Sequence, residues 1–458
     1  MSRSWSATLA RVALALVMAL LVGCAKPVTP TAAPTRTPKP TFTPGAQAQA
    51  PTQAQAATAA KATLAPTLTP ANSQAKAAQP TTAKPTEAAK ATEANSPAAT
   101  EAPKATATVA LPAVKSLKMN SPEYGMQAFL WWRPEVGSRD LQAVKNAGFT
   151  WVKVNFGWRD IEGAAKGAFD WSHTDWIVYT ANHDGIDLVV RIDHQPEWTG
   201  GGFPTNGPPD NMQDLNDFLS AMATRYKGRI RAYEIWNEPN LAREWGGKLP
   251  DPGQYAKMLK GAYSAIKTVD PDAMVMSAGL SPTGTWNEEA RPDEWYLKSL
   301  YIAMGGSSNG YFDVLAAHAP GFNYPPETDP AEVAAKESHG QRAFCFRHVE
   351  DLRKIMVENG DSAKQIAILE FGWTSDPRTD SPYHWHAVSE ETKADYFVRA
   401  YQYAKKNWSP WIGLMSLIYV ADNEWTEANE QYWWAITEPG YPELKTRPAY
   451  DALKAMPK

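Results

Sequence analysis

The sequence predicts an α/β fold, a closed (β/α)8 TIM barrel over residues 118–458, preceded by a signal peptide and a long disordered linker. Three observations predict it. Short apolar or β-branched runs recur eight times between residues 124 and 420. Segments with helical spacing lie between them, and such alternation implies a parallel sheet with right-handed crossovers. No Gly-rich phosphate fingerprint follows the first run, so an open doubly wound sheet fits less well than a barrel.

In chain order, residues 1–24 hold Arg3 and Arg11, the apolar run VALALVMALL and then LVGC, ending at Cys24. The run is too short to span a bilayer and reads as a secretory signal. LVGC resembles the bacterial lipobox, which implies cleavage before Cys24, lipid on its sulfur and a membrane-anchored, extracytoplasmic lipoprotein at the cell surface. The alternative is an ordinary signal peptide that happens to contain Cys. Residues 25–117 are mostly Pro, Thr, Ala, Gln and Lys, with Phe42 the only aromatic up to Leu111. Such a segment cannot bury enough apolar surface to offset the entropy of ordering, so it is expected to be a tether.

The strand candidates are YGMQAFL (124–130), FTWVKVNF (149–156), IDLVVRI (186–192), IRAYEIW (230–236), AMVMSAG (273–279), YFDVLAA (311–317), QIAILEF (365–371) and WIGLMSLIYV (411–420). Helical spacing appears at Leu215, Phe218, Leu219, Met222 and Tyr226, at Tyr255, Met258, Leu259, Ala262 and Ile266, and at Val349, Leu352, Ile355 and Met356. Asn359-Gly360 ends the last of these as a helix stop.

Charge and cysteine narrow the function. The total is −4, yet the leader and tether are net basic, so the folded region is acidic and nucleic acid is a poor partner. Neutral sugars are not excluded. Only Cys345 accompanies Cys24; if Cys24 carries lipid, no internal disulfide is possible, and a lone Cys on an expected helix does not argue for a thiol nucleophile. There is no HExxH, no CxxC pair, no phosphate loop and no flavin signature, so neither metal nor cofactor is implied.

The fourth run ends in WNEPN. Pro239 cannot extend the strand because it lacks an N–H, and Glu238 falls just past the strand end, where a barrel forms its catalytic rim. The seventh run ends in Glu370, followed by Gly372 and Trp373. Two carboxylates on one rim are what glycoside hydrolysis needs: one to protonate the leaving oxygen and one to attack the anomeric carbon or activate water.

WNEPN after strand four with ILEFGW at strand seven resembles the barrel clan of retaining glycoside hydrolases, including families thirty-nine and five. NFGWRDIEGAAKGAFDW (155–171) looks like the second-strand segment of family thirty-nine, and RPAYDALKAM (447–456) like a closing barrel helix. The resemblance implies that Glu238 is the acid/base, Glu370 the nucleophile, and Asn237 the amide that bonds the sugar 2-hydroxyl. It implies an O-glycosyl hydrolase that retains configuration through a covalent glycosyl-enzyme. The favoured substrate is a β-glycan such as xylan or glucan, cut by an endo-β-glycanase or an exo-β-glycosidase such as a β-xylosidase. The rival from another class is a weakly catalytic or inactive carbohydrate-binding barrel. A monomer is expected.

His318, in AAHAPGF after strand six, is placed to orient Glu370 or line a sugar subsite, or else to be a satisfied rim histidine. Arg191, Asp193 and His194 end strand three and either grip hydroxyls or pair among themselves. Glu234 should point into the barrel and brace. Flat aromatic faces stack on pyranose C–H faces, and although most of the 19 Trp are core by default, Trp373, Trp433 and Trp434 are expected at the substrate. With Glu370 ionised nearby, Glu238 is expected to hold its proton to higher pH than an ordinary carboxyl.

Overall fold

The computed structural model of the protein describes residues 116–131 and 133–458. The expected leader, Cys24, the tether up to residue 115 and Trp132 lie outside the described residues. Among the described residues, no helix is long and apolar enough to cross a membrane.

Eight parallel strands form the sheet: β1 (Glu123–Gln127), β2 (Trp151–Gly157), β3 (Asp187–Asp193), β4 (Ala232–Ile235), β5 (Met274–Ser277), β6 (Leu315–His318), β7 (Ile366–Phe371) and β8 (Ile412–Leu417). Every one falls inside the run that predicts it or within one residue of it. Neighbours run in the order β5-β4-β3-β2-β1-β8-β7-β6, and a parallel bridge from Met276 to Val314 joins the two ends, which closes the barrel.

The surrounding helices use the periodicities noted above. Helix α1 (Pro134–Asn146) follows β1, the one-turn α2 (Trp158–Ile161) and then α3 (Ser172–His183) follow β2, and α4 (Met212–Arg225) follows β3. Asn211 caps α4 by accepting from Gln213 N, and Leu215, Phe218, Leu219 and Met222 are its buried stripe. Next come α5 (Pro252–Val269), with Asp251 as N-cap and Pro252 at the first position, and α6 (Asp293–Ala303). The short α7 (Pro330–Ala334) precedes α8 (Val349–Glu358), and α9 (Glu390–Asn407) follows β7. Cys345 is not helical: it precedes a 3-10 turn at Phe346–His348, and its burial pushes the thiol up to about 12. After β8 the chain forms α10 (Glu430–Trp434), a two-stranded ribbon of β9 (Thr437–Glu438) and β10 (Lys445–Thr446), and the closing α11 (Pro448–Ala455).

Strand alternation sorts side chains into two places. Val152, Val154, Val190, Ile192, Tyr233 and Ile235 point outward to the helices. Trp151, Val189, Ala232, Met274, Ala316, Ala367 and Leu414 fill the lower barrel interior. One step up the strands, the inward positions change character: Lys153, Arg191, Glu234 and His318 are all buried there. That change from apolar to ionic sets the level at which the site begins.

Candidate active site

Two local departures from strand geometry aim the acids. In β7 the register shifts against both neighbours, between Ala317 and His318 on one side and between Ile368 and Phe371 on the other. Ala367 and Leu369 point inward and Phe371 outward, so strict alternation would have turned Glu370 outward. The bulge re-aims it to the rim. At β4, Trp236 and Glu238 take left-handed backbone conformations, φ 74° and 36°, costing on the order of 1–3 kcal/mol each. Hydrogen bonds hold this turn: Trp236 Nε1 donates to Glu244 O at 2.7 Å, Glu238 N to Gly279 O at 3.1 Å, and Asn240 Nδ2 to Ser281 O and Arg291 O at 2.9 and 3.0 Å.

Both acids border one pocket of about 420 Å³, a size suited to a small-molecule ligand. His318 lies between them, its Nδ1 3.1 Å from Glu238 Oε1 and its Nε2 3.8 Å from Glu370 Oε1. Gly279 makes room for that ring, since a Cβ there would sit 2.2 Å from His318 Cδ2. Glu370 Oε1 accepts from Lys153 Nζ at 2.9 Å and from Arg191 NH1 at 3.3 Å. Lys153 also meets Glu234 at 3.2 Å, and Arg191 Nε meets Asp193 at 3.0 Å. Burial pushes the Glu370 carboxyl up, but His318, Lys153 and Arg191 outweigh it and the net shift is down. These contacts favour the ionised form of Glu370 and hold its carboxylate in place.

Glu238 departs from expectation. Burial again pushes up, but the hydrogen bond from His318 and the charge of Arg243 bring the carboxyl to about 2, and Arg243 NH2 reaches Glu238 Oε2 at 2.7 Å. These contacts favour the ionised form of Glu238 at neutral pH. The expected rise does not occur because the hydrogen bond with His318 and the charge of Arg243 both favour the ionised carboxylate.

The remaining predicted residues divide. His318 and Trp434 line the pocket, and His318 bonds Glu238 rather than Glu370. Asn237 lies deeper, accepting from Arg191 at 3.1 Å and donating to Glu244 at 3.2 Å; it adjoins Glu370 through the shared Arg191. Trp373, expected at the substrate, does not line the pocket. It is fully buried, packs against Phe346, Tyr396 and Phe397, and donates to Tyr324 O at 3.0 Å. Trp433 does not line the pocket either; its indole donates to Glu427 O at 3.0 Å and lies against Tyr432. His194 bonds its neighbour Asp193 outside the pocket. Glu234 points inward as expected, and Arg191 forms the local pair with Asp193.

Several contributors escape sequence reasoning. Lys153 was visible as a charge in an otherwise apolar strand, two residues from inward Trp151. Arg243 and Glu244 carried no signal. Tyr383, His386 and Phe322 also line the pocket, and Glu430, bonded to Tyr383 and Trp434, is pushed up to about 8 by burial. Away from the pocket, both ring nitrogens of His348 are occupied by Asp293 at 2.6 Å and Asp351 at 3.2 Å, which ties α6 to α8.

The closed parallel barrel brings two carboxylates, at the ends of β4 and β7, to one pocket. The model of the family Cellulase (glycosyl hydrolase family 5) matches residues 114–304, a span that contains Glu238 and stops short of Glu370. A comparison with curated protein sequences gives no match. Among solved structures, a family 39 glycoside hydrolase from the gut symbiont Bacteroides cellulosilyticus WH2 is similar at TM-score 0.53 and 20% identity, over 73% of this chain and 63% of that one. A glucosidase from Croceicoccus marinus is similar at TM-score 0.52 and 13% identity, over 74% of this chain and 67% of that one. This chain thus spans under two thirds of the first relative's length, and likeness at such identity shows the fold. The family match covers the part of the chain that carries the WNEPN motif.

Proposed function

We propose that the protein is a retaining glycoside hydrolase that cleaves a β-glycan by double displacement, with Glu370 as nucleophile and Glu238 as acid/base. The observation that carries this reading is the convergence of the two carboxylates on one pocket with His318 between them. In the fraction of the protein whose Glu238 carries a proton, Glu370 attacks the anomeric carbon while Glu238 gives that proton to the leaving oxygen; the freed Glu238 carboxylate then takes a proton from the water that attacks the glycosyl-enzyme, which restores both acids. Lys153 and Arg191 hold Glu370 as an oriented anion before attack, so little reorganisation is left for the transition state. Asn237, below the pocket, accepts from Arg191 and so helps to fix the cation that holds Glu370. The test is the anomeric configuration of the first-formed product from an aryl glycoside, read by proton NMR. Retention is expected, and an inverted first product would remove Glu370 as nucleophile. Absence of turnover on any aryl glycoside or β-glycan would favour the carbohydrate-binding alternative.

We further propose that the domain is displayed outside the cytoplasm through lipid on Cys24. Cys24→Ser should release the protein from the membrane fraction of a bacterial host with specific activity unchanged, whereas continued retention would count against the lipobox reading.

A further inference from the structure

The loop between β5 and α6 forms one wall of the pocket through Ser281, Thr283, Thr285, Glu289 and Ala290. At its lip, between the lining residues Thr285 and Glu289, Trp286 is 58% exposed, and Trp295 from the start of α6 is 36% exposed. Their rings meet edge to face, with centroids 4.7 Å apart at 75°. The Arg291 guanidinium lies 4.9 Å from the Trp286 ring centre. With Arg291 over the ring and Trp295 against it, more than half of Trp286 is still open to solvent.

This lip is built rather than loose. Asn287 Oδ1 accepts from Glu289 N and Ala290 N, both at 2.9 Å, and Asn287 N donates to Ala290 O at 3.1 Å. Arg291 donates to Ala290 O at 3.1 Å and to Asn287 O, and Ala290 bridges to Leu241 across the pocket wall. A single exposed apolar side chain needs no explanation. Two indoles locked together, stiffened by a cation and continuous with a pocket, do. Two rings are far too small to seat a stable protein partner, which needs about 1,000 Å² or more.

We propose that Trp286, supported by Trp295 and Arg291, is a distal stacking platform for a pyranose ring of a neutral glycan chain that runs out of the pocket over the lip. This rests on the glycosidase reading above and deepens it: a site that grips a ring beyond the reacting sugars serves a polysaccharide or long oligosaccharide. The indole face takes the C–H face of the ring, while Arg291 and Glu289 are in place for its hydroxyls.

The test compares chain lengths in the full-length protein. Trp286→Ala should lower kcat/KM on a polysaccharide and on long oligosaccharides by about 3- to 10-fold, chiefly through KM, and leave an aryl monoglycoside unaffected. Trp286→Phe should recover most of the loss. Affinity electrophoresis in gels containing xylan, β-glucan or mannan reads the same contact without turnover: the wild type should be retarded in at least one gel, and Trp286→Ala less so. Equal losses on short and long substrates, no loss on polymer, or an unretarded wild type would overturn the platform. Failure of the glycosidase reading would look different, as absent aryl-glycoside turnover with gel retardation intact.

Discussion

Replacing Arg243 by Gln removes a cation 2.7 Å from Glu238 Oε2. Two unit charges about 4 Å apart attract by roughly 4 kcal/mol at an effective dielectric near 20. The Arg243 side chain is 31% exposed, so solvent screening takes a large part of that. What is left corresponds to about 1–2 pKa units on Glu238, or roughly 10- to 100-fold in its protonated fraction at a fixed pH above its pKa. The sign follows from the direction of the shift. Glu238 is depressed from 4.5 to about 2, so the free enzyme loses its acid as pH rises through that low value, and kcat/KM on unactivated glycosides should climb as the solution is acidified. In Arg243→Gln the falling basic limb of kcat/KM should move up by about 1–2 pH units. Stability should change in the opposite sense: the pairing contributes above the unfolded value of 4.5 and fades as pH falls through about 2. The variant should therefore be less stable than wild type at neutral pH, with the difference closing in acid. The assay is a pH–rate profile with an aryl and an alkyl glycoside, alongside urea midpoints at neutral and low pH. A basic limb that stays in place, or moves down, would refute the view that Arg243 keeps Glu238 ionised.

Lys153→Met leaves Glu234 and Glu370 without their shared buried cation, so the urea midpoint should report a loss of about 3–5 kcal/mol, and the acid limb of kcat/KM should rise because Lys153 is one of the groups that depress Glu370; an unmoved acid limb would detach Lys153 from the nucleophile. Two of the three tryptophans expected at the substrate should part company. Trp373→Ala empties a fully buried indole site and should cost about 3–5 kcal/mol of stability with KM little altered, whereas Trp434→Ala, at the pocket wall, should raise KM several-fold at a smaller stability cost; similar effects on KM from both would contradict the placement.

All eight strands were legible because a barrel strand surrounded by helices is apolar on one face and mostly apolar on the other, and such runs stand out at any register. The acids were legible through motif rather than alternation. A strict period of two starting from Ala367 points Glu370 outward, and the bulge in β7 that corrects it has no signature in IAILEF. Trp373 was misplaced for a related reason. Counting from an inward Glu370 puts Phe371 and Trp373 on the outer face, where both pack on α9, so the parity was available and closeness in sequence to the nucleophile misled. Arg243 was out of reach, because the path of a loop after WNEPN depends on Asn240 and Trp236 anchoring it to distant backbone. Its effect on Glu238 was hidden with it, and an argument from the two carboxylates alone gave the wrong direction.

The barrel interior separates what holds the fold from what does the chemistry. Its lower layer, from Trp151 and Val189 to Ala367 and Leu414, gains from burial at about 25 cal/mol per Å² and asks nothing of geometry beyond fit. The layer above it gives up that gain. Lys153, Arg191, Asp193, Glu234 and Glu370 are all nearly or fully buried, and buried ion pairs of this kind commonly do no better for stability than apolar residues of the same volume. Stability is therefore a poor reason for the upper layer to be ionic. Placement is a better one, since each cation is tied to two carboxylates, Lys153 to Glu234 and Glu370 and Arg191 to Asp193 and Glu370. A cation shared in this way cannot follow Glu370 if its carboxylate swings, because moving would leave the other acid unpaired in a dry interior. The cost of the layer thus fixes the Glu370 carboxylate at the base of the pocket, while Glu238, at the rim, is held by His318 and by Arg243, whose side chain is partly open to solvent.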